Sequence, residues 1–380
     1  MEYNFFATCA SGLEATVKRE IKQLGYETTG GIDGRIEFTG DDTTFAQTNL
    51  WLRSADRVFL KIGTFPAKIF DDLFEGTKAL PWADFIPADG KFNVAGKSRK
   101  SKLFSVSDCQ SIVKKAVADK LQASHGVNSL DETGANYRIQ VSLLNDVATL
   151  AIDTTGIGLN RRGYREETHS APIKETLAAT LIDLSFWRKD RILLDPFCGS
   201  GTIAIEAAMI AKNIAPGLTR PFACEKWEFL DKNIWKNARL NALESINNDI
   251  KAEIHAYDID PNSAALASRN AEKAGVDDCI IVKNIDFAEV SLDGFSDYGS
   301  LITNPPYGER IGELAEVRTL YKHLRKLQYS NRTWSFYVIT SDEEFEKFFG
   351  KKADVRRKLY NGGNVKTDYY QYYGTKPPKY

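Results

Sequence analysis

Leu194-Asp195-Pro196-Phe197-Cys198-Gly199-Ser200-Gly201-Thr202 is the stretch that decides how the chain folds. It follows the apolar run Arg191-Ile192-Leu193-Leu194 and opens an apolar helix, Thr202 to Lys212. Strand, glycine turn and helix in that order form the ligand-binding turn of an open α/β sheet. Gly199 and Gly201 remove Cβ atoms where the backbone turns tightly and approaches a ligand. The helix start offers free N–H groups to an anion, a carboxylate as well as a phosphate. No Lys follows Gly201, so this is not a Walker-type phosphate loop, and the full GxGxxG pattern is absent. Asp195 suits an amine better than a pyrophosphate. An amine and a carboxylate together point to the methionine end of S-adenosylmethionine.

Working outward, the same alternation continues. A helix over Ala171 to Leu184 precedes the loop. Strands at Ile254–Tyr257, Ile280–Val282 and Ser300–Thr303 follow it, with a helix over Ser263 to Ala274. This predicts a doubly wound, mostly parallel sheet. Asp258 ends a strand, where a carboxylate accepts ribose hydroxyls. It is preferred over Asp260 for that place, with Ile259 between them. Asp258 lies 63 positions after Asp195, which requires an insertion, about 214–251, between the loop helix and that strand. Asp286, ahead of Phe287, could accept from an adenine amine or equally serve as a helix cap.

Asn304-Pro305-Pro306-Tyr307-Gly308-Glu309-Arg310 follows the fourth strand of this half. An exocyclic amine on a base is a poor nucleophile because its lone pair is delocalised into the ring. The Asn304 side-chain oxygen and the Pro305 carbonyl can both accept from such an amine. Consecutive prolines fix φ and hold that carbonyl still. Tyr307 offers a face for a base taken out of its stack. This logic serves adenine N6, cytosine N4 or guanine N2 alike.

The N-terminal portion reads differently. Residues 1–65 alternate short strands and helices in the α+β pattern of a ferredoxin-like unit. Gly30-Gly31 is read there as a turn. Residues 66–160 carry a basic loop, Gly96-Lys97-Ser98-Arg99-Lys100-Ser101-Lys102. A helix follows, then two strands meeting across Asn145-Asp146, a hairpin turn. Segment 91–120 holds eight Lys and Arg against two Asp, with Phe92 and Phe104 flanking the loop. Such a patch neutralises phosphates while aromatics stack on unpaired bases. Arg161, Arg162 and Arg165 form a second basic group, and Lys351, Lys352, Arg356, Arg357 and Lys358 a third. Tyr369, Tyr370, Tyr372 and Tyr373 are read as packing in a final strand.

Over all 380 residues, 50 Lys and Arg face 51 Asp and Glu. This excludes a wholly basic protein and leaves room for local patches. The five cysteines form no CxxC pairs, so neither a metal site nor a disulfide framework is expected. The N-terminus lacks the regions of a signal peptide, and no apolar stretch spans a bilayer. A cytoplasmic protein without a membrane partner is the expectation.

Four stretches carry a family resemblance: Arg161-Arg162-Gly163-Tyr164-Arg165, Ala171 to Ala179, Leu194 to Ala208, and Asn304 to Arg310. With the layout of the whole chain, they resemble the bacterial THUMP-domain RNA guanine-N2 methyltransferases of the Asn-Pro-Pro-Tyr group. The resemblance implies a Rossmann-like class I methyltransferase domain over 161–380, preceded by ferredoxin-like (1–65) and THUMP (66–160) domains. It implies S-adenosylmethionine as cofactor, N2-methylguanosine as product and 23S ribosomal RNA as substrate, with transfer RNA open. Motif by motif, it assigns the cofactor to Asp195, Pro196, Phe197, Cys198, Gly199, Ser200, Gly201 and Thr202. To these it adds Asp258, Ile259, Asp286 and Phe287, with Pro172 and Lys174 closing over the ligand. It assigns the target amine to Asn304, Pro305, Pro306 and Tyr307. Lys97, Arg99, Lys100, Lys102, Arg161, Arg162 and Arg165 are the RNA-binding candidates. A DNA adenine or protein-glutamine methyltransferase is the rival among enzymes. A non-catalytic RNA-binding assembly factor is the rival outside them.

Overall fold

Phe5 and Ala7 of strand β1 (Tyr3–Thr8) are fully buried and set the N-terminal core. The computed structural model describes residues 1–32, 34–165, 172–306, 311–361 and 365–376; for 311–314 and 361 it describes the backbone alone. Next come α1 (Glu14–Gln23), β2 (Thr28–Ile32), β3 (Arg35–Gly40), α2 (Asp42–Trp51) and β4 (Arg57–Pro66). β1 pairs antiparallel with both β3 and β4, giving the ferredoxin-like order β2-β3-β1-β4. Gly30-Gly31 lies within β2 and is not a turn, because β2 is an edge strand where small residues cost little packing. The chain continues through α3 (Phe70–Lys78), β5 (Lys91–Arg99), α4 (Val106–His125), β6 (Asn136–Leu144) and β7 (Val147–Asp153). β4 pairs with β7, so one seven-stranded sheet runs β2-β3-β1-β4-β7-β6-β5. Asn145 and Asp146 have φ of 51° and 62° and join β6 to β7 as the expected two-residue hairpin.

The C-terminal half contains α5 (Glu175–Asp183), β8 (Leu193–Asp195), α6 (Thr202–Ala211), α7 (Lys232–Glu244), β9 (Ile254–Asp258) and α8 (Pro261–Ala274). It goes on with β10 (Ile280–Asn284), β11 (Ser300–Thr303), α9 (Ile311–Ser330), β12 (Ser335–Thr340), α10 (Phe345–Phe349), β13 (Val355–Asn361) and β14 (Val365–Tyr372). The sheet order is β10-β9-β8-β11-β12-β14-β13. The strands from β10 to β12 are parallel, and β14 runs antiparallel between β12 and β13. Strand order reverses between β8 and β11, and the crevice past their C-terminal ends is where such sheets bind ligands. Tyr369, Tyr370 and Tyr372 are fully buried in β14, as expected. Every residue of β11 is buried, which suits a central strand covered on both faces.

The chain forms two compact units. The first holds Met1–Thr8, Lys18–Leu159 and Arg220–Asn241; the second holds Cys9–Val17, Asn160–Thr219 and Ala242–Tyr380. Much of the 214–251 insertion therefore belongs to the N-terminal unit. Trp227 stacks on Tyr137 of β6 at 5.1 Å and 18° and meets Phe45 of α2 edge-on at 6.0 Å. Phe229 adds contacts to Tyr3, Phe45 and Phe85. Trp227 is 2% exposed. Trp227→Ala is expected to destabilise the first unit by about 3–5 kcal/mol, the cost of emptying an aromatic core site. Urea denaturation of the full chain, followed by the fluorescence of the remaining tryptophans, reads this. An unchanged midpoint would show that the insertion is not part of that core.

Candidate active site

Asp195 is the last residue of β8, one position beyond the strand read from the sequence. It is 1% exposed, and its Oδ1 accepts the Thr303 hydroxyl at 2.6 Å and the Phe197 N–H at 3.3 Å. Thr303 ends β11, so this bond ties the start of the glycine loop to the residue before Asn304. No cation partners Asp195 among the described residues. Burial pushes its carboxyl up to about 7, with a further push from Asp258, against the two hydrogen bonds.

The loop beyond is held on its own framework. Cys198 N–H donates to Tyr257 O at 2.9 Å, and Gly201 N–H to Cys198 O at 2.8 Å. Gly199 N–H donates to Asp258 Oδ2 at 2.9 Å, and Asp260 N–H to Asp258 Oδ1 at 2.9 Å. Gly199 and Gly201 have φ of 52° and 81°, the left-handed region that glycine enters without the strain a Cβ brings. A Cβ on Gly201 would also meet Ala267 at 3.0 Å, whereas one on Gly199 would meet nothing within 4 Å. Gly199 is therefore required for backbone shape, and its position faces open space. Gly201 caps α6 with no side-chain hydrogen bond.

A cavity of about 420 Å³ opens here. Pro172, Ile173, Asp195, Phe197, Cys198, Gly199, Ser200, Thr202, Ile203, Asp258, Ile259, Asn304 and Pro306 line it. Loop, ribose-acid candidate and amine-acceptor candidate thus meet in one space. Pro196, Gly201, Lys174, Pro305, Asp286 and Phe287 are not among its lining residues. Lys174 caps α5, Pro305 is buried, and Phe287 packs on Phe197 at 4.8 Å. Asp260 accepts from Asn262 and Ser263 as the cap of α8, which separates it from Asp258. Asp286 caps a short 3-10 helix by accepting from Ala288 N–H at 2.9 Å, the alternative open to it in the sequence. Tyr307, Gly308, Glu309, Arg310 and Ala171 lie outside the described residues.

Two of the RNA-binding candidates are used inside the second unit. Arg162 is 3% exposed and pairs with Glu206, itself 0% exposed, at 3.4 Å; the Tyr164 hydroxyl donates to the same oxygen at 3.1 Å. Arg165 donates to the Ile173 carbonyl at 2.9 Å and the Thr202 hydroxyl at 2.6 Å, and lies 3.5 Å from Glu175. Burial raises the Glu175 carboxyl, which Arg165 opposes. Arg162 is thus the internal counter-ion of a buried glutamate and is withdrawn from the surface, while Arg165, 18% exposed, pairs with Glu175. Arg165 holds two cavity-lining residues in place. Arg161 is exposed.

Lys97 and Arg99 lie on β5, the edge strand, and not in a loop. Both point away from α4, since Gly96, one position before Lys97 and so on the opposite face of the strand, faces Val106 and Gln110. With Lys100, Ile32, Ser142 and Asn145 they border a cavity of about 520 Å³. Burial first, then Arg35 and Arg99, lowers the Lys97 ammonium below its usual range. Lys102 is exposed, and its N–H donates to Asp146 Oδ1 at 2.7 Å, tying this segment to the hairpin. Phe92 is 2% exposed and belongs to the core, whereas Phe104 is 82% exposed. Only Phe104 of the two is placed to stack on a base. The five cysteines are buried and none is in a disulfide, and no group of metal-ligating side chains occurs among the described residues. No helix among them is long and apolar enough to cross a membrane.

Comparison with known proteins matches residues 162–371 to an RMKL-like methyltransferase domain, 4–59 to an RlmL ferredoxin-like domain and 67–153 to a THUMP domain. The chain is 47% identical over 380 residues to "Putative RNA methyltransferase YpsC" of Bacillus subtilis (strain 168), covering 100% of this chain and 98% of that one. It is 33% identical to "Ribosomal RNA large subunit methyltransferase K/L" of Cellvibrio japonicus (strain Ueda107), over 95% of this chain and 50% of that one. The chain thus spans about half the length of that relative. The structure of SMU.472, "a putative methyltransferase complexed with SAH", superposes with a TM-score of 0.94 at 42% identity, covering 99% of each chain.

Proposed function

This chain belongs to the RMKL-like methyltransferase family with RlmL ferredoxin-like and THUMP domains, and we propose that it methylates the exocyclic N2 amine of a guanosine in large-subunit ribosomal RNA. Its cofactor is S-adenosylmethionine, which supplies an electrophilic sulfonium methyl when bound. The observation that carries the reading is the cavity shared by Asp195, Asp258 and Asn304. The residues fit that cofactor: a buried carboxylate with no cation partner among the described residues, a helix start capped by no side chain, and an open glycine position. Asp195 would hold the ammonium, and the first N–H groups of α6 the carboxylate. Asp258 keeps lone pairs free for ribose hydroxyls after its two backbone bonds. Ile259, 65% exposed, gives an apolar surface for the adenine. Asn304 accepts from the target amine and fixes its orientation, and Tyr307 stacks the base. Lys97, Arg99, Lys100 and Lys102 hold phosphates, with Phe104 beside them. The corresponding domains are assigned to 1–65, 66–160 and 161–380, with 220–241 of the last packed in the first compact unit and 9–17 of the first in the second.

The test is methyl transfer to ribosomal RNA followed by nucleoside mass spectrometry. N2-methylguanosine is the expected product. N6-methyladenosine, or label on protein alone, would overturn the assignment.

The Asp195 carboxyl also makes cofactor affinity pH-dependent. Its proton stays on to about pH 7 in the fold but leaves near 3.8 in the unfolded chain. The native state therefore binds more protons in between, and this group's share of stability falls as pH rises from about 4 to 7. An ammonium ligand needs the ionised form, so affinity rises over the same interval. S-adenosylmethionine should bind roughly tenfold more tightly at pH 7 than at pH 5.5, a range in which its own amine stays protonated. Calorimetry across that range reads the effect. A flat wild-type profile, or an Asp195→Asn variant with the same slope, would remove Asp195 from this role.

A further inference from the structure

Between Glu316 and Asp342 the chain carries Arg318, Lys322, Arg325, Lys326 and Arg332 without a single Asp or Glu. Most of this run lies on α9, outside the three basic groups noted in the sequence. Arg318 is neutralised by Asp342 and Glu344 at 3.7 and 2.5 Å. Arg325 and Arg332 have no carboxylate partner among the described residues. Both guanidiniums instead rest on the ring of Tyr329, at 5.6 and 5.0 Å from its centroid, and Tyr329 is 60% exposed. Arg325 is further oriented by Gln328 at 2.5 Å. Lys351, whose ammonium lies 3.9 Å from Asp354, lines the same cavity of about 330 Å³ together with Tyr373 and Thr375. Thr375 N–H donates to Arg332 O at 2.9 Å, which pins the wall. The end of a helix favours cations in its last turn. The last turn of α9 holds no basic residue, so this preference accounts for none of Arg325, Arg332 and Lys351, which line the same space.

We propose that this cavity is a second RNA site, binding phosphodiester groups of the substrate on Arg325, Arg332 and Lys351. The proposal rests on the reading of the protein as an RNA methyltransferase. Two fixed guanidiniums on one ring present forked donors that match phosphate oxygens, and their mutual repulsion is relieved by an anion. The place in the sheet decides between a polymer and a free nucleotide. The cofactor cavity lies past the C-terminal ends of β8, β9 and β11. This one lies before the start of β12, which runs parallel to β11, and after the end of antiparallel β14. The length of β12, about 20 Å at ~3.3 Å per residue, separates the two ends. One substrate that touches both must be extended and polyanionic. RNA is, and a mononucleotide is not.

The test uses the full chain and large-subunit ribosomal RNA, with Arg325→Gln/Arg332→Gln as the variant. RNA affinity is measured as a function of KCl, alongside cofactor affinity and melting temperature. Losing two phosphate contacts should lower the slope of log K against log salt by about 1.5 and weaken binding roughly tenfold at 0.1 M KCl. Cofactor affinity and melting temperature should stay at wild-type values. Arg99→Glu/Lys100→Glu serves as a reference for loss of RNA contact in the other unit. An unchanged slope in the α9 variant, with wild-type RNA still bound and methylated, would overturn this site and leave the enzymatic reading standing. Wild-type protein that neither binds nor methylates RNA would instead overturn that reading. Guanosine monophosphate is the last arm: saturable binding lost in the variant, with RNA binding unmoved, would make this a small-molecule site and overturn the proposal.

Discussion

Asn304→Ala is expected to lower the single-turnover rate of methyl transfer by about 10²–10⁴-fold while S-adenosylmethionine binds as before. The expectation follows from how the sheet sets that side chain. Asn304 comes directly after β11, and the preceding Thr303 hydroxyl is fixed on the Asp195 carboxylate. The amide therefore borders the cofactor cavity without being one of the groups that close the loop around it. Its acceptor is useful when the target amine turns pyramidal, because the N–H bonds then point at the fixed oxygen. An interaction made mainly in that geometry lowers the rate constant and not the affinity for cofactor. Asn304→Asp keeps an oxygen acceptor but places a charge beside Asp195, so it should recover only part of the rate. Single-turnover transfer with saturating cofactor, paired with calorimetry, separates the two effects. A rate loss matched by an equal loss of cofactor affinity would mean that Asn304 shapes the pocket. An unchanged rate would remove it from the chemistry altogether.

Patterns confined to a few neighbouring residues were readable in the sequence. The glycine loop, the alternating elements of both halves and the Asn145-Asp146 hairpin depend on local φ/ψ preference and short-range periodicity, and the fold has them where those signals put them. What could not be read depends on residues far apart in the chain. Arg162 and Arg165 look like any surface arginines until Glu206, 44 positions from Arg162, is seen to be buried against it. Phe92 flanks a basic run yet faces α4, because side chains alternate along β5. The sequence places the insertion only between the loop helix and the next strand, and Tyr137, 90 positions before Trp227, shows which core it completes. The basic end of α9 did carry a signal, the absence of any acid from 317 to 341. It was hidden by helical periodicity, which gives a solvated face the same composition.

The Arg162–Glu206 pair yields the second large effect. Arg162→Met should destabilise the second unit by about 3–5 kcal/mol, since it strands a carboxylate that is 0% exposed. The Tyr164 hydroxyl remains to donate, but Oε2 of Glu206 has no hydrogen-bond partner among the described residues, so little is left to hold the charge. Glu206 lies on α6, the helix whose first turn borders the cofactor cavity. Cofactor affinity should therefore fall along with stability. The double variant Arg162→Met/Glu206→Met removes both charges and leaves apolar volume, which is commonly neutral or stabilising for buried pairs. Recovery of the urea midpoint in the double variant is the deciding result. It would show that the single loss came from an unpaired glutamate and not from a missing cation. RNA affinity, measured where each variant is folded, should match the wild type in the double variant. A double variant with restored stability but weakened RNA binding would return Arg162 to the RNA surface, and its buried position would then have to open when substrate binds.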